Sequence, residues 1–107
     1  MKASLNHGLL ALPGPEGERY AELLRRGSLS VEIYAPRGHD PQQPHDQDEL
    51  YIVHSGQGVF LNGETRVAFG AGDALFVPAG RVHRFEQFSE DFVTWVVFYG
   101  PKGGEAE

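Results

Sequence analysis

Short apolar runs separated by turn residues fill the chain after residue 28, and this pattern predicts an all-β fold. Residues 28–34 alternate most clearly, with Leu29, Val31 and Ile33 on one face of a strand and polar side chains or Tyr34 on the other. The Asn62-Gly63 pair is a strong hairpin signal. Roughly eight short strands of this kind favour a barrel or jelly roll. Besides residues 28–34, strands are expected in the segment ending at residue 55 and at residues 59–62, 65–69, 74–77, 82–88 and 92–99.

The segment before the first strand has a different pattern, and residues 15–27 predict one short helix. Pro15 suits a first helical turn, acidic residues come early, arginines come late, and Gly27 can end the helix. Its apolar stripe would lie on the barrel or on a second subunit, and it consists of Tyr20, Leu23, Leu24 and Ala21. Residues 1–14 are weakly patterned and are expected to form an extended arm.

These elements predict a single domain over residues 1–107. Its expected parts are an N-terminal arm and helix at 1–27, a barrel at 28–100 and a polar, mobile tail at 101–107. A domain of this size has little core with which to cover the arm and the helix stripe. We therefore expect a homodimer in which those two parts lie in the interface.

Residues 43–53 carry the most distinctive polar groups of the chain. If the segment is extended, Gln43, His45, Gln47 and Glu49 point to the same side, because side chains alternate along a strand. One imidazole, one carboxylate and two amides that face a common space are a plausible metal-binding edge. A second imidazole, His83, lies on a later predicted strand.

Composition limits the partners, the chemistry and the cellular location that are expected of the protein. The formal net charge of −6 argues against a nucleic-acid or anionic-membrane partner. The chain has no cysteine, which excludes disulfides, thiol catalysis and a cysteine-based zinc site. The N-terminal apolar run at residues 9–12 is too short for a signal peptide or a membrane span, so a cytoplasmic protein is expected.

Two spacings resemble the motifs of the cupin superfamily. Gly72-x5-Pro78-x-Gly80-x2-His83 resembles the second cupin motif, and Gln87 stands where the family has an asparagine. Glu49-x6-Gly56 resembles the end of the first motif, which makes His45 its second histidine and places Gln43 where the first would be. Gly38 lies one residue closer to that position than the family's glycine, and the gap between the motifs, residues 57–71, suits compact microbial members.

The resemblance implies a small single-domain cupin, that is, a double-stranded β-helix or jelly-roll barrel around a pocket. It also implies a divalent transition metal, such as iron, nickel, zinc or manganese, held by His45, Glu49 and His83. Gln43 would take the place of the missing histidine, and Gln47 is the alternative amide because it shares the same predicted face. Two histidines and one carboxylate leave coordination positions open for a substrate.

Other interpretations of the same residues remain open. His45 and His83 can be hydrogen-bonded pocket residues without a metal, and Gln43 and Gln47 can be solvated loop residues. By strand parity Tyr51 and Phe85 are expected to line the pocket, with Trp95 as a third candidate. Three classes of function follow. The first is a metal-dependent oxygenase, isomerase or decarboxylase that acts on a small molecule. The second is a non-catalytic barrel that binds or senses a small molecule, and the third is a stable barrel without a functional site.

Overall fold

Eight strands and one short helix form the structure, a computed structural model that describes residues 1–106. The helix α1 spans Leu5–Leu10. The strands are β1 (Tyr20–Arg26), β2 (Leu29–Tyr34), β3 (Asp48–Ser55), β4 (Gln57–Asn62), β5 (Thr65–Gly70), β6 (Ala74–Val77), β7 (His83–Glu86) and β8 (Val93–Tyr99). Among the described residues, no helix is long and apolar enough to cross a membrane.

The strands form two antiparallel sheets, as expected for a double-stranded β-helix, or jelly-roll, barrel. The larger sheet has the order β1-β2-β8-β3-β6, and the smaller sheet has the order β5-β4-β7. Each strand predicted after residue 28 is present, and the Asn62-Gly63 turn joins β4 to β5. Strand β3 lies inside the larger sheet between β8 and β6, which fixes the orientation of its side chains.

The interior of the barrel is aromatic. Tyr51 of β3 packs against Phe60 of β4 and Phe85 of β7, with ring centroids 5.7 and 4.8 Å away. All three side chains are buried. Burial of such large rings is the main stabilising contribution in a domain with so small a core. Because Tyr51 faces inwards, Glu49 two residues earlier on the same strand also faces inwards.

The helix predicted at residues 15–27 is wrong: residues 20–26 form β1. This strand pairs with β2 as a hairpin, and Gly27, at φ +56°, is a residue of the turn rather than the end of a helix. A register shift between Glu22 and Leu24 interrupts the alternation of β1 at Leu23 and Leu24, which are adjacent in the sequence. Tyr20, Leu23 and Leu24 therefore do not form the predicted helix face. The homodimer stays a prediction, but a helix face at these residues cannot be its interface.

The helix of the structure lies earlier, in the segment that was predicted to be an extended arm. Leu5 and Leu9 of α1 pack on the outer face of the larger sheet, against Ile33 of β2. Trp95 of β8 is opposite Ile33 in the pairing of these strands, and it packs in the same outer cluster. Trp95 is consequently on the far side of the sheet from the barrel interior, and its predicted place in the pocket is wrong.

The C-terminal tail is held in place, contrary to the prediction that it is mobile. The buried carboxylate of Asp48 accepts hydrogen bonds from the backbone N–H groups of Ala79 and Glu105, both at 2.9 Å. The N–H of Gly103 donates to the carbonyl oxygen of Asp46 at 2.7 Å. These bonds tie the tail to the start of β3, next to the polar stretch singled out in the sequence. Glu107, the last residue of the predicted tail, lies outside the described residues.

Candidate metal centre

His45, Glu49 and His83 come together at one end of the barrel interior. One ligand atom of each residue lies within 4.8 Å of the ligand atoms of the other two. Glu49 is on the inner face of β3 in the larger sheet, and His83 begins β7 in the smaller sheet. His45 precedes β3 and is in a loop. The site is therefore built across the two sheets, and closing the barrel is what assembles it.

The backbone of the His45 loop is fixed by the turn that precedes β7. The N–H of Gly80 donates to the carbonyl oxygen of His45 at 2.7 Å. Gly80 has φ +80°, a conformation in which a residue with a β-carbon is strained. The ring of Phe98 packs edge-on against the His45 imidazole with centroids 4.8 Å apart. The glycine of the second motif thus positions a histidine of the first.

One oxygen of Glu49 lies close to both imidazoles. Its Oε1 atom is 3.0 Å from Nδ1 of His45 and 2.9 Å from Nε2 of His83. The other ring nitrogen of His83, Nδ1, is 2.9 Å from the carbonyl oxygen of Arg81, to which it donates its proton. This bond leaves Nε2 of a neutral His83 ring with a lone pair directed at the site, as in a histidine prepared to bind a metal.

Two buried polar atoms of the cluster have no hydrogen-bond partner among the described residues. They are Oε2 of Glu49 and Nε2 of His83. The 2.9 Å approach of Nε2 to Oε1 has the distance of a hydrogen bond but not its direction, so we count it as an electrostatic contact. Orphaned polar atoms in a barrel interior are costly. A cation between them would satisfy both, and a set of two imidazoles and one carboxylate fits a divalent transition metal.

The pKa values of the buried pair shift in the directions expected of strong electrostatic coupling. Burial opposes ionisation of Glu49, but its short contacts with His45 and His83, and the charge of these imidazoles, outweigh burial and lower the pKa of this carboxyl to about 2. Burial also opposes protonation of His83, whereas Glu49 and the Arg81 carbonyl favour it and raise its pKa above the usual value. Without a metal, a proton on His83 therefore neutralises the ionised Glu49.

Neither predicted amide ligand is with the cluster. Gln43 has an exposed side chain, and Gln47 donates through Nε2 to the carbonyl oxygens of Ser28 and Gly100, both at 2.9 Å. Strand β3 begins only at Asp48, so the alternation that placed these amides beside His45 does not extend to them.

Gln42 is the amide that faces the interior, a position that the strand pattern did not predict. Its Nε2 donates to the buried carboxylate of Asp40 at 2.9 Å, and its Oε1 accepts the Tyr51 hydroxyl at 2.9 Å. Asp40 also accepts from the Tyr34 hydroxyl and, at 2.8 Å, from the backbone N–H of Phe85. Two prolines flank this glutamine pair, and nothing in the sequence distinguished Gln42 from Gln43.

A cavity of about 720 Å³ opens beside the cluster, and His45 is part of its wall. The volume suits a small organic molecule. Val96 and Phe98 of β8 supply apolar surface. Tyr51 and Phe85, predicted to line the pocket, instead lie in the buried aromatic core behind it, where Tyr51 is 6.1 Å from His83 between ring centroids. The protein therefore joins a candidate metal site to a space for a ligand, with His45 between them.

Comparisons with known proteins agree with this architecture. The family described as "Cupin domain" matches residues 30–99. The chain is 39% identical over 85 residues to the uncharacterized protein SCO3923 of Streptomyces coelicolor, a match that covers 78% of this chain and 81% of that protein. It is also 30% identical over 70 residues to the dimethylsulfoniopropionate lyase DddQ of Ruegeria pomeroyi. That second match covers 64% of this chain but only 35% of the enzyme.

A solved structure extends the comparison to nearly the whole fold. The Cupin 2 conserved barrel domain protein from Salinispora arenicola matches with a TM-score of 0.69 at 18% identity. The match covers 94% of this chain and 87% of that one. At this level of identity the similarity concerns the fold.

Proposed function

The chain belongs to the cupin family, and on that premise we propose that it is a metal-dependent enzyme that acts on a small molecule. The observation that carries the proposal is the pair of orphaned atoms, Glu49 Oε2 and His83 Nε2, in a buried cluster of two imidazoles and one carboxylate. In a barrel without a metal this arrangement would cost free energy of folding, because Glu49 Oε2 and His83 Nε2 lack hydrogen-bond partners among the described residues.

His45, Glu49 and His83 would hold the metal. Glu49 would supply the negative charge, and its low pKa keeps it ionised throughout the physiological range. The Arg81 carbonyl orients His83 by accepting its Nδ1 proton, so that Nε2 faces the site. When bound, the metal would act as a Lewis acid that polarises an oxygen of the substrate. Two imidazoles and one carboxylate suit iron, nickel, zinc or manganese.

The cavity supports catalysis rather than a purely structural metal. A structural site is closed by four protein ligands, whereas this cluster offers three and borders a space of about 720 Å³. His45 is about one-third exposed and joins the cluster to that space.

Water-proton relaxation of the Mn²⁺-loaded protein tests the open position. We expect enhanced relaxation from a water that exchanges on the bound ion, and we expect the enhancement to be absent from a His83→Ala sample given the same Mn²⁺. That sample controls for ions on the acidic surface. Tightly bound Mn²⁺ in the wild type without an exchanging water would indicate a sealed structural site and contradict the proposal.

A further inference from the structure

Two guanidinium groups lie side by side at the cavity, on the side formed by residues 17–20 and 36–42. Nε of Arg19 donates to the carbonyl oxygen of Ala35 at 2.8 Å, and Nη1 of Arg37 donates to the same oxygen at 3.3 Å. The backbone N–H of Ala35 donates in turn to the carbonyl oxygen of Arg19 at 2.9 Å. Both arginines are thus fixed on one residue, and they line the same cavity as His45.

No carboxylate of residues 1–106 lies within ion-pair distance of either guanidinium group. Arg19 is half-buried, and both its burial and the neighbouring charge of Arg37 lower its pKa. Two cations held together without an acid repel each other, so the arrangement destabilises the folded protein by itself. An anion bound between the two groups would remove this repulsion.

Most donors of the two groups remain available for a ligand. Arg19 uses Nε, and Arg37 uses Nη1 for both Ala35 and Pro36, so the other guanidinium nitrogens make no hydrogen bond to the described residues. Parallel N–H groups of this kind suit the two oxygens of a carboxylate. Glu18 and Glu32 line the same cavity, and their charge disfavours a dianion such as a phosphate monoester more than a carboxylate monoanion.

We propose that Arg19 and Arg37 form a carboxylate-binding subsite, and that the small molecule entering the cavity is a carboxylic acid. Its carboxylate lies on the two arginines, its carbon chain packs on Val96 and Phe98, and its other end approaches His45. This inference rests on the proposed function for the role of that second end. The subsite itself consists of residues that do not belong to the metal cluster.

The test is calorimetric titration of the metal-loaded protein with acetate, propionate, butyrate and lactate, each compared with its neutral amide. We expect at least one acid to bind about tenfold or more tightly than its amide. Arg37→Gln should remove that preference, and since Arg37 is exposed the variant should fold. Arg19→Lys, which keeps the charge but loses the fork, should weaken the same acid. The matched control is Arg26→Gln, an exposed arginine outside the cavity wall, which should bind like the wild type.

The inference is overturned if no acid binds better than its amide, if phosphate monoesters bind better than every acid, or if Arg37→Gln leaves the preference intact. Measuring the metal content of the same samples distinguishes failure of the carboxylate subsite from failure of the proposed function. A full metal complement with no preference for acids removes the subsite alone. An arginine-dependent preference in protein that takes up no metal removes the metal-dependent function and leaves the subsite standing.

Discussion

Replacing Glu49 with glutamine should weaken metal binding about 100-fold or more. Loss of a residue that only hydrogen-bonds to a metal ligand already costs up to about 100-fold, and Glu49 is proposed to be a ligand itself. Glutamine keeps the size of the side chain but removes the charge that His45 and His83 share through Oε1. Two neutral imidazoles and an amide compensate a divalent cation poorly in a buried site. The affinity is measured by competition with a chromophoric chelator, on protein stripped of metal and reloaded.

The matched control is Glu86→Gln. Glu86 lies on β7, the strand that begins with His83, but its carboxylate pairs with Arg66 outside the cluster. Its replacement removes the same charge from the chain and should leave the affinity within about twofold of wild type, because exposed ion pairs contribute little. Equal affinities for the Glu49→Gln and Glu86→Gln variants would place the metal elsewhere.

Metal affinity should also fall steeply as the pH is lowered. In the metal-free protein the pKa of His83 is raised above 6.5, so the ring keeps a proton at pH values where a free histidine has lost it. A metal must displace that proton. Below the raised pKa of His83 the apparent affinity should therefore drop at least tenfold per pH unit, and above it the affinity should level off.

The same linkage gives a second readout of this pH effect. Binding in weakly buffered solution should release a proton from His83 below its raised pKa, and the number released should approach zero at higher pH. Glu49 contributes nothing to this release, since its pKa of about 2 keeps it ionised over the whole range. An affinity that does not change between pH 5 and pH 8 would show that His83 is not a ligand.

Strand parity predicted the orientation of Glu49 correctly because β3 is regular from Asp48 onwards. Alternation places Glu49 and Tyr51 on the same face, and the position of β3 inside the larger sheet makes that face the interior. The second motif predicted the position of His83, because the turn at Gly80 precedes the strand that His83 begins. These residues are set by local rules, namely side-chain alternation and a glycine-dependent turn, that a sequence displays directly.

The wrong predictions concern residues whose local sequence is compatible with two different structures. Gly27 ends a helix or turns a hairpin equally well, and the irregular pairing near Leu24 hid the alternation of β1. Trp95 sits in a strand that is apolar on both faces, so only its pairing with Ile33 and Ile52 shows that it points outwards. Such pairings depend on contacts between distant parts of the chain.

The amide was missed for a related reason. Parity was applied to residues 43–47, which precede the strand and do not alternate. The orientation of Gln42 depends on Asp40 and Tyr51, which are brought together only by the folded loop. The arginine pair escaped notice likewise, because Arg19 and Arg37 meet at the Ala35 carbonyl through the pairing of β1 with β2.

Elemental analysis by plasma mass spectrometry tests the central claim most directly, on untagged wild-type protein and on a His45→Ala, His83→Ala double variant. We predict about one transition metal per chain in the wild type, as purified or after incubation with iron, nickel, zinc or manganese, and none in the double variant. Circular dichroism on the same samples should show that the variant keeps its β structure. Wild-type protein that takes up none of these metals, or a folded double variant that retains its metal, would contradict the account.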